Sequence, residues 1–88
     1  MLFRSTAASP ATLEAREVRH RGRAWTAHLR AYREADVWRG HIAFHDASSG
    51  AVHHTTTIFR ESVATELRER FLGFEDETME AFLRSARI

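Results

Sequence analysis

The chain contains no cysteine and no lysine. Without thiols it forms neither disulfide bonds nor thiolate metal sites, and this absence leaves the redox compartment open. All 13 basic residues are arginine, which binds phosphate and carboxylate groups in a bidentate way that lysine does not. Coding bias in a GC-rich genome is the favoured explanation of this usage, and selection for anion binding is the alternative.

Long apolar runs and a large net charge are also absent. No stretch approaches the roughly 18 apolar residues of a membrane helix, so no membrane partner is expected. The net charge of +1 is unevenly spread, because segment 14–33 is basic and segment 61–88 is acidic. A length of 88 residues and a hydrophobic fraction of 43% suit one small globular core, which we expect to be cytoplasmic.

The first residues are rich in Ser, Thr and Ala and contain no acidic residue. An organelle presequence is one interpretation, but the segment has a single Arg and no amphipathic helix pattern. We expect residues 1–12 to form a flexible N-terminus. Residues 13–88 then form a single α+β domain.

Apolar and polar residues alternate from residue 23 to residue 60, which is typical of strands with one buried face. Turn signals divide this region into strands. Two-residue hairpin turns are expected at 21–22 and 34–35, and a three-residue loop at 48–50. The pattern predicts a four-stranded antiparallel meander.

The turns also predict the register between strands. The first sets Val18 opposite Trp25, and the second sets Arg33 opposite Asp36 as a cross-strand ion pair. The second register also places Trp25 opposite Phe44. The third connection places His54 on the same face as Phe44. A slip of one residue would send every side chain to the other face.

Helical periodicity replaces the alternation after residue 61. Ser62 is the expected N-cap of a first helix that ends near Gly73, and acidic residues 75–77 favour the start of a second. The predicted fold is a β-β-β-β-α-α meander with both C-terminal helices packed on one face. The expected core residues are Val18, Trp25, Leu29, Trp38, Ile42, Phe44, Ile58, Val63, Leu67, Phe71, Phe74, Met79, Phe82 and Leu83.

Histidines stand out on the uncovered face of the predicted sheet. The expected register sets His28 beside His41 and His45 beside His53, and facing imidazoles can share a transition metal. The two pairs lie about 13 Å apart, and neither has a clear third ligand. Solvated histidines are the favoured interpretation, and neither a metal site nor a cofactor is predicted.

Arginines and aromatic residues lie on the same uncovered face. Arg30 is expected beside Arg39, with Tyr32 and Phe59 next to them, a combination that suits stacking of bases and neutralisation of phosphates. The near-zero net charge and the absence of RNA-binding motifs weaken that interpretation. Tyr32, Val37 and Phe59 also suit the centre of a protein interface.

Catalysis has little support in the sequence. Ser48, His45 and Asp46 are close along the chain, but neighbouring strand residues diverge and no oxyanion hole is evident. We therefore predict a non-enzymatic protein-interaction domain that forms a homodimer or binds another protein, with single-stranded nucleic acid as the alternative ligand. The predicted binding residues are His28, Arg30, Tyr32, Val37, Arg39, His41 and Phe59.

Overall fold

The computed structural model describes residues 10–88. An antiparallel sheet is followed by two C-terminal helices that pack on one face, which confirms the predicted α+β meander. The sheet order is β1-β2-β3-β4, and β5 pairs with another part of the same edge of β3 that β4 uses. The elements are β1 (Ala11–His20), β2 (Arg23–Glu34), β3 (Val37–Asp46), β4 (Val52–His54), β5 (Phe59–Glu61), α1 (Ala64–Gly73) and α2 (Asp76–Ser85).

The first hairpin follows the prediction. Arg21 and Gly22 form the turn with φ values of 53° and 76°, and Val18 lies opposite Trp25. Positive φ at both central residues matches the twist of the flanking strands. β1 begins at Ala11 and therefore includes two residues that the sequence assigned to the flexible N-terminus. Residues 1–9 lie outside the described residues.

The second hairpin turns one residue later than predicted. Glu34 pairs with Val37, so the turn consists of Ala35 and Asp36, with a φ of 55° at Ala35. Asp is a better turn residue than Glu, which explains why the turn includes Asp36 and not Glu34. The predicted cross-strand pairing of Arg33 with Asp36 is wrong, although their ion pair forms across the turn at 3.8 Å.

This change leaves the two faces intact because paired residues move by an even number of positions. Trp25 lies opposite Asp46, and Phe44 lies opposite Ala27. Trp25, Trp38 and Phe44 still contribute to the core under the helices. The predicted partners are therefore wrong, whereas the predicted orientation of β2 and β3 is confirmed.

The third connection is one residue longer than predicted. Each side chain of β4 therefore points to the face opposite to the predicted one. Asp46 and Ala51 close the loop through a hydrogen bond of 2.8 Å from the Asp46 amide to the Ala51 carbonyl. The Asp46 carboxylate accepts hydrogen bonds of 2.9 Å from both the amide and the hydroxyl of Ser48. His53 consequently lies opposite Phe44, and its ring meets that of Trp25 edge-on, with centroids 5.1 Å apart.

The fourth strand is also interrupted. Thr55 bonds Ile42 through both its amide and its side-chain oxygen, at 3.0 and 2.9 Å, and strand pairing resumes only at β5. There Phe59 lies opposite Gly40 and is only 1% exposed. The prediction that Phe59 lies on the uncovered face is therefore wrong. Its ring packs near Phe74, with centroids 5.8 Å apart.

The remaining core agrees with the prediction except at the start of α1. Val63 is 49% exposed, and this residue is the N-cap in place of Ser62, without a side-chain capping bond. Small residues of β2 that were not in the predicted core are fully buried. The buried apolar residues are Val18, Trp25, Ala27, Leu29, Ala31, Ile42, Ala43, Phe44, Phe59, Leu67, Phe71, Met79, Leu83 and Ala86.

Arg16 joins the sheet to the junction between the helices. Its guanidinium group donates hydrogen bonds of 2.9 Å to the Phe71 carbonyl and 2.8 Å to the Phe74 carbonyl. The same group forms an ion pair with Asp76 at 3.1 Å. At the other end of β1, His20 meets Glu80 at 2.9 Å. These contacts hold both helices on one side of the sheet.

Candidate functional site: the open sheet face

The face of the sheet opposite the helices, here called the open face, is not covered by any element within residues 10–88. Its central residue, Ala43, is only 2% exposed because larger side chains surround it. Strand pairing assigns to this face Ala15, Glu17, Thr26, His28, Arg30, Tyr32, Val37, Arg39, His41, Ala43, His45, Val52, His54 and Arg60.

All of the predicted binding residues except Phe59 lie on the open face. Tyr32 is paired with Arg39, and Val37 lies close by at the β2–β3 turn. Phe59 approaches from the covered face, beneath Gly40. The structure therefore brings together an apolar patch at one end of the face, but a smaller one than the sequence predicts.

The arginines are arranged differently from the prediction. Arg30 is paired with His41 and not with Arg39. Its guanidinium group donates to the Thr12 hydroxyl at 2.7 Å and to the Pro10 carbonyl at 3.0 Å. The Arg39 Nε donates to the Glu34 carboxylate at 2.8 Å. Both cations therefore have partners within the chain.

A like-charge pair does exist, but the sequence analysis missed it. Arg60 of β5 lies directly opposite Arg39 of β3. Opposed like charges are unfavourable, and the bond from Arg39 to Glu34 offsets this. Arg60 was missed because its position depends on the irregular segment between β4 and β5.

Four histidines surround Ala43 and form what we call the histidine cluster: His28, His41, His45 and His54. The predicted pairs are wrong. The rings of His28 and His45 have centroids 4.4 Å apart, and those of His41 and His54 have centroids 5.5 Å apart. His54 was missed because the longer loop before β4 turns it onto the open face.

The surroundings of His28 and His41 lower the pKa of each imidazole. Burial lowers the pKa of His28, and the neighbouring His45 and Arg30 lower it further. Burial likewise lowers the pKa of His41, with smaller contributions from His54 and Arg30. The pKa values of these two imidazoles lie below the ordinary value of 6.5, so both rings are mainly neutral at pH 7.

The side chains of Asp46 and Ser48 are hydrogen-bonded to each other, but His45 does not join them. His45 points to the open face, whereas Asp46 is paired with Trp25 on the covered face and is 3% exposed. The backbone amide of Ser48 lowers the pKa of the Asp46 carboxyl to about 2, aided by the Ser48 hydroxyl and by Arg23. Asp46 therefore stabilises the β3–β4 loop.

Within the described part of the chain, no group of three or more histidine and acidic side chains is placed to hold a metal ion. None of the helices there is long and apolar enough to cross a membrane. No family model, no curated protein and no solved structure matches the chain.

Proposed function

We propose that this chain is a small non-enzymatic protein-interaction domain of the cytoplasm that forms a homodimer through the open face. The observation that carries the proposal is that one entire side of the sheet has no covering layer within the described residues. The sheet and the two helices already form the two layers around the core, so the other side of the sheet is available to a partner. A second copy would cover the remaining side of the sheet.

The size of the open face is adequate for this role. Four strands spaced by about 4.8 Å and rising about 3.3 Å per residue give roughly 600 Å² of projected area over ten residues. Stable interfaces bury about 800 Å² of accessible surface on each partner, a quantity that exceeds the projected area because side chains protrude. The whole face is therefore needed for a stable dimer.

The chemistry of the open face also supports a protein partner. Tyr32 and Val37 supply apolar area, and Tyr and Arg are enriched at interface centres. Because Arg30 and Arg39 already have partners, their burial does not leave unpaired charges. The nucleic-acid alternative has less support, since Phe59 is buried and Arg30 lies opposite His41 and not opposite Arg39.

The oligomeric state in metal-free buffer tests the proposal. We expect sedimentation equilibrium of the untagged chain in EDTA to show a monomer–dimer equilibrium. Tyr32→Glu places a charge in the interface and should weaken the dimer by at least about tenfold, or 1.4 kcal/mol. High salt should have little effect, in contrast to the steep loss expected for binding through phosphates.

Leu72→Glu provides the matched control. Leu72 is 49% exposed on α1, on the side of the sheet away from the open face, and Glu is a good helix former. This variant should dimerise like the unmodified chain. A strict monomer at every concentration, or equal weakening by both substitutions, would contradict the proposal.

A further inference from the structure

The spacing of the histidine pairs matches that of imidazoles on a shared metal ion. A ligating imidazole nitrogen lies about 2.0–2.1 Å from Zn²⁺, which places the ring centroid about 3.2 Å from the ion. Two imidazoles on one tetrahedral ion therefore have centroids about 5 Å apart. The separations of 4.4 Å for His28 and His45 and 5.5 Å for His41 and His54 lie on either side of this value.

One pair supplies only half of a tetrahedral site. Structural zinc sites have four protein ligands, and no third ligand joins either pair within residues 10–88. In a two-fold symmetric dimer the same surface patch meets itself, so a histidine pair of one copy can face the same pair of the other. Four imidazoles then surround one ion.

We propose that the open face binds Zn²⁺, or another late first-row divalent ion that prefers imidazole, at its histidine pairs, and that the same pair of a second copy completes the coordination. This inference rests on the homodimer proposed above and assigns it a ligand. The ion would link two copies that each hold an incomplete site.

The histidine cluster leaves space for a metal ion. The small side chain of Ala43 lies between the two pairs, so no bulky group separates the rings from an approaching ion. Arg30 lies opposite His41, and its guanidinium group is held by Thr12 and Pro10 at the β1 side of the sheet.

Zinc titration of the untagged chain tests the inference. The chain is stripped with EDTA, the EDTA is removed, and ZnCl₂ is added during sedimentation analysis, with the imidazole signals followed by NMR. We expect Zn²⁺ to raise the dimer association constant at least tenfold and to shift imidazole signals of the histidine cluster. The double variant His45→Gln/His54→Gln removes one ligand from each pair and should abolish both effects.

His53→Gln is the matched control. His53 is adjacent to His54 in β4 but faces Trp25 on the covered side. This variant should keep the full zinc effect. Because His45 and His54 are both exposed, their replacement by Gln should leave the fold intact, and thermal unfolding in EDTA checks this.

The outcomes separate this inference from the proposed function. A dimer in EDTA that Zn²⁺ does not strengthen overturns the metal site and leaves the homodimer standing. A zinc effect that survives in the double variant, or that disappears in His53→Gln, also overturns the metal site. A monomer in EDTA that dimerises with Zn²⁺, and loses this response in the double variant, supports the metal site and overturns the metal-free homodimer.

Discussion

Gly40 of β3 lies between β2 and β5, where a side chain would be crowded. A Cβ atom placed there would lie 3.2 Å from the Arg30 carbonyl oxygen and 3.5 Å from the Phe59 Cβ. The first of these atoms belongs to the backbone and cannot move aside as a flexible side chain can. Glycine at this position therefore permits Phe59 to pack beneath the sheet.

We expect Gly40→Ala to lower the free energy of unfolding by about 1–3 kcal/mol, since the added methyl group forces the strands apart. Urea denaturation measures the change. Gly73→Ala is the control, because nothing lies within 4 Å of its Cβ position and its φ is not positive. That substitution should be neutral or should stabilise by up to about 1 kcal/mol. Equal losses in both variants would contradict this explanation.

At the scale of the elements, β1 holds the helices in place through Arg16. The carbonyl groups at the end of α1 have no partners within the helix, and Arg16 satisfies two carbonyls of this junction while pairing with Asp76. Lysine cannot reproduce this geometry, because it lacks the planar fork of the guanidinium group.

Arg16→Met should therefore lower the free energy of unfolding by about 1.5–3 kcal/mol, the usual contribution of hydrogen bonds to charged groups. Arg19→Met, three residues along the same strand, should change it by less than about 0.5 kcal/mol, because the Arg19 side chain is 68% exposed. Thermal or urea denaturation of both variants makes the comparison. A loss at Arg19 as large as that at Arg16 would show that the contacts with the helices are not the cause.

The elements also show how far local sequence patterns determine this fold. Alternation predicted the faces of β2 and β3 correctly, because a change of turn position shifts paired residues by an even number. The prediction of the fourth strand was wrong because Ser48, Ser49 and Gly50 suit loops of either three or four residues. The Asp46 side chain selects the longer loop, and Thr55 then replaces a regular strand pairing. Such side-chain-to-backbone bonds leave no periodic signal.

The candidate site was predicted less completely than the fold. Residues on β2 and β3 were assigned to the correct face, including Tyr32, Arg39 and His41. Their predicted neighbours across β2 and β3 were wrong, since a shift of register by two residues preserves the faces but changes every contact between these strands. Phe59 and His54 each lie on the face opposite to the predicted one, because both follow the loop whose length was wrongly predicted.

For the molecule as a whole, the lowered pKa values of His28 and His41 predict that stability and the proposed dimerisation depend on pH. The pKa values of His28 and His41 lie below 6.5, so the unfolded chain binds more protons than the folded one as the pH falls through 6.5. The free energy of unfolding therefore decreases with falling pH and levels off below the folded pKa values. Protonation also places positive charges within the open face, which opposes dimerisation.

We expect the free energy of unfolding and the dimer association constant to fall between about pH 8 and pH 5. The double variant His28→Gln/His41→Gln should show a shallower decrease in both. Urea denaturation and sedimentation equilibrium across this range provide the measurements. An unchanged slope in the double variant would exclude these two imidazoles as the source.

The two adjacent histidines of β4 have one more consequence. His54 belongs to the open face, whereas the ring of His53 touches Trp25 on the other side of the sheet. Because His53 and His54 are consecutive residues, we expect binding at His54 to change the fluorescence emission of Trp25 on the opposite side of the sheet.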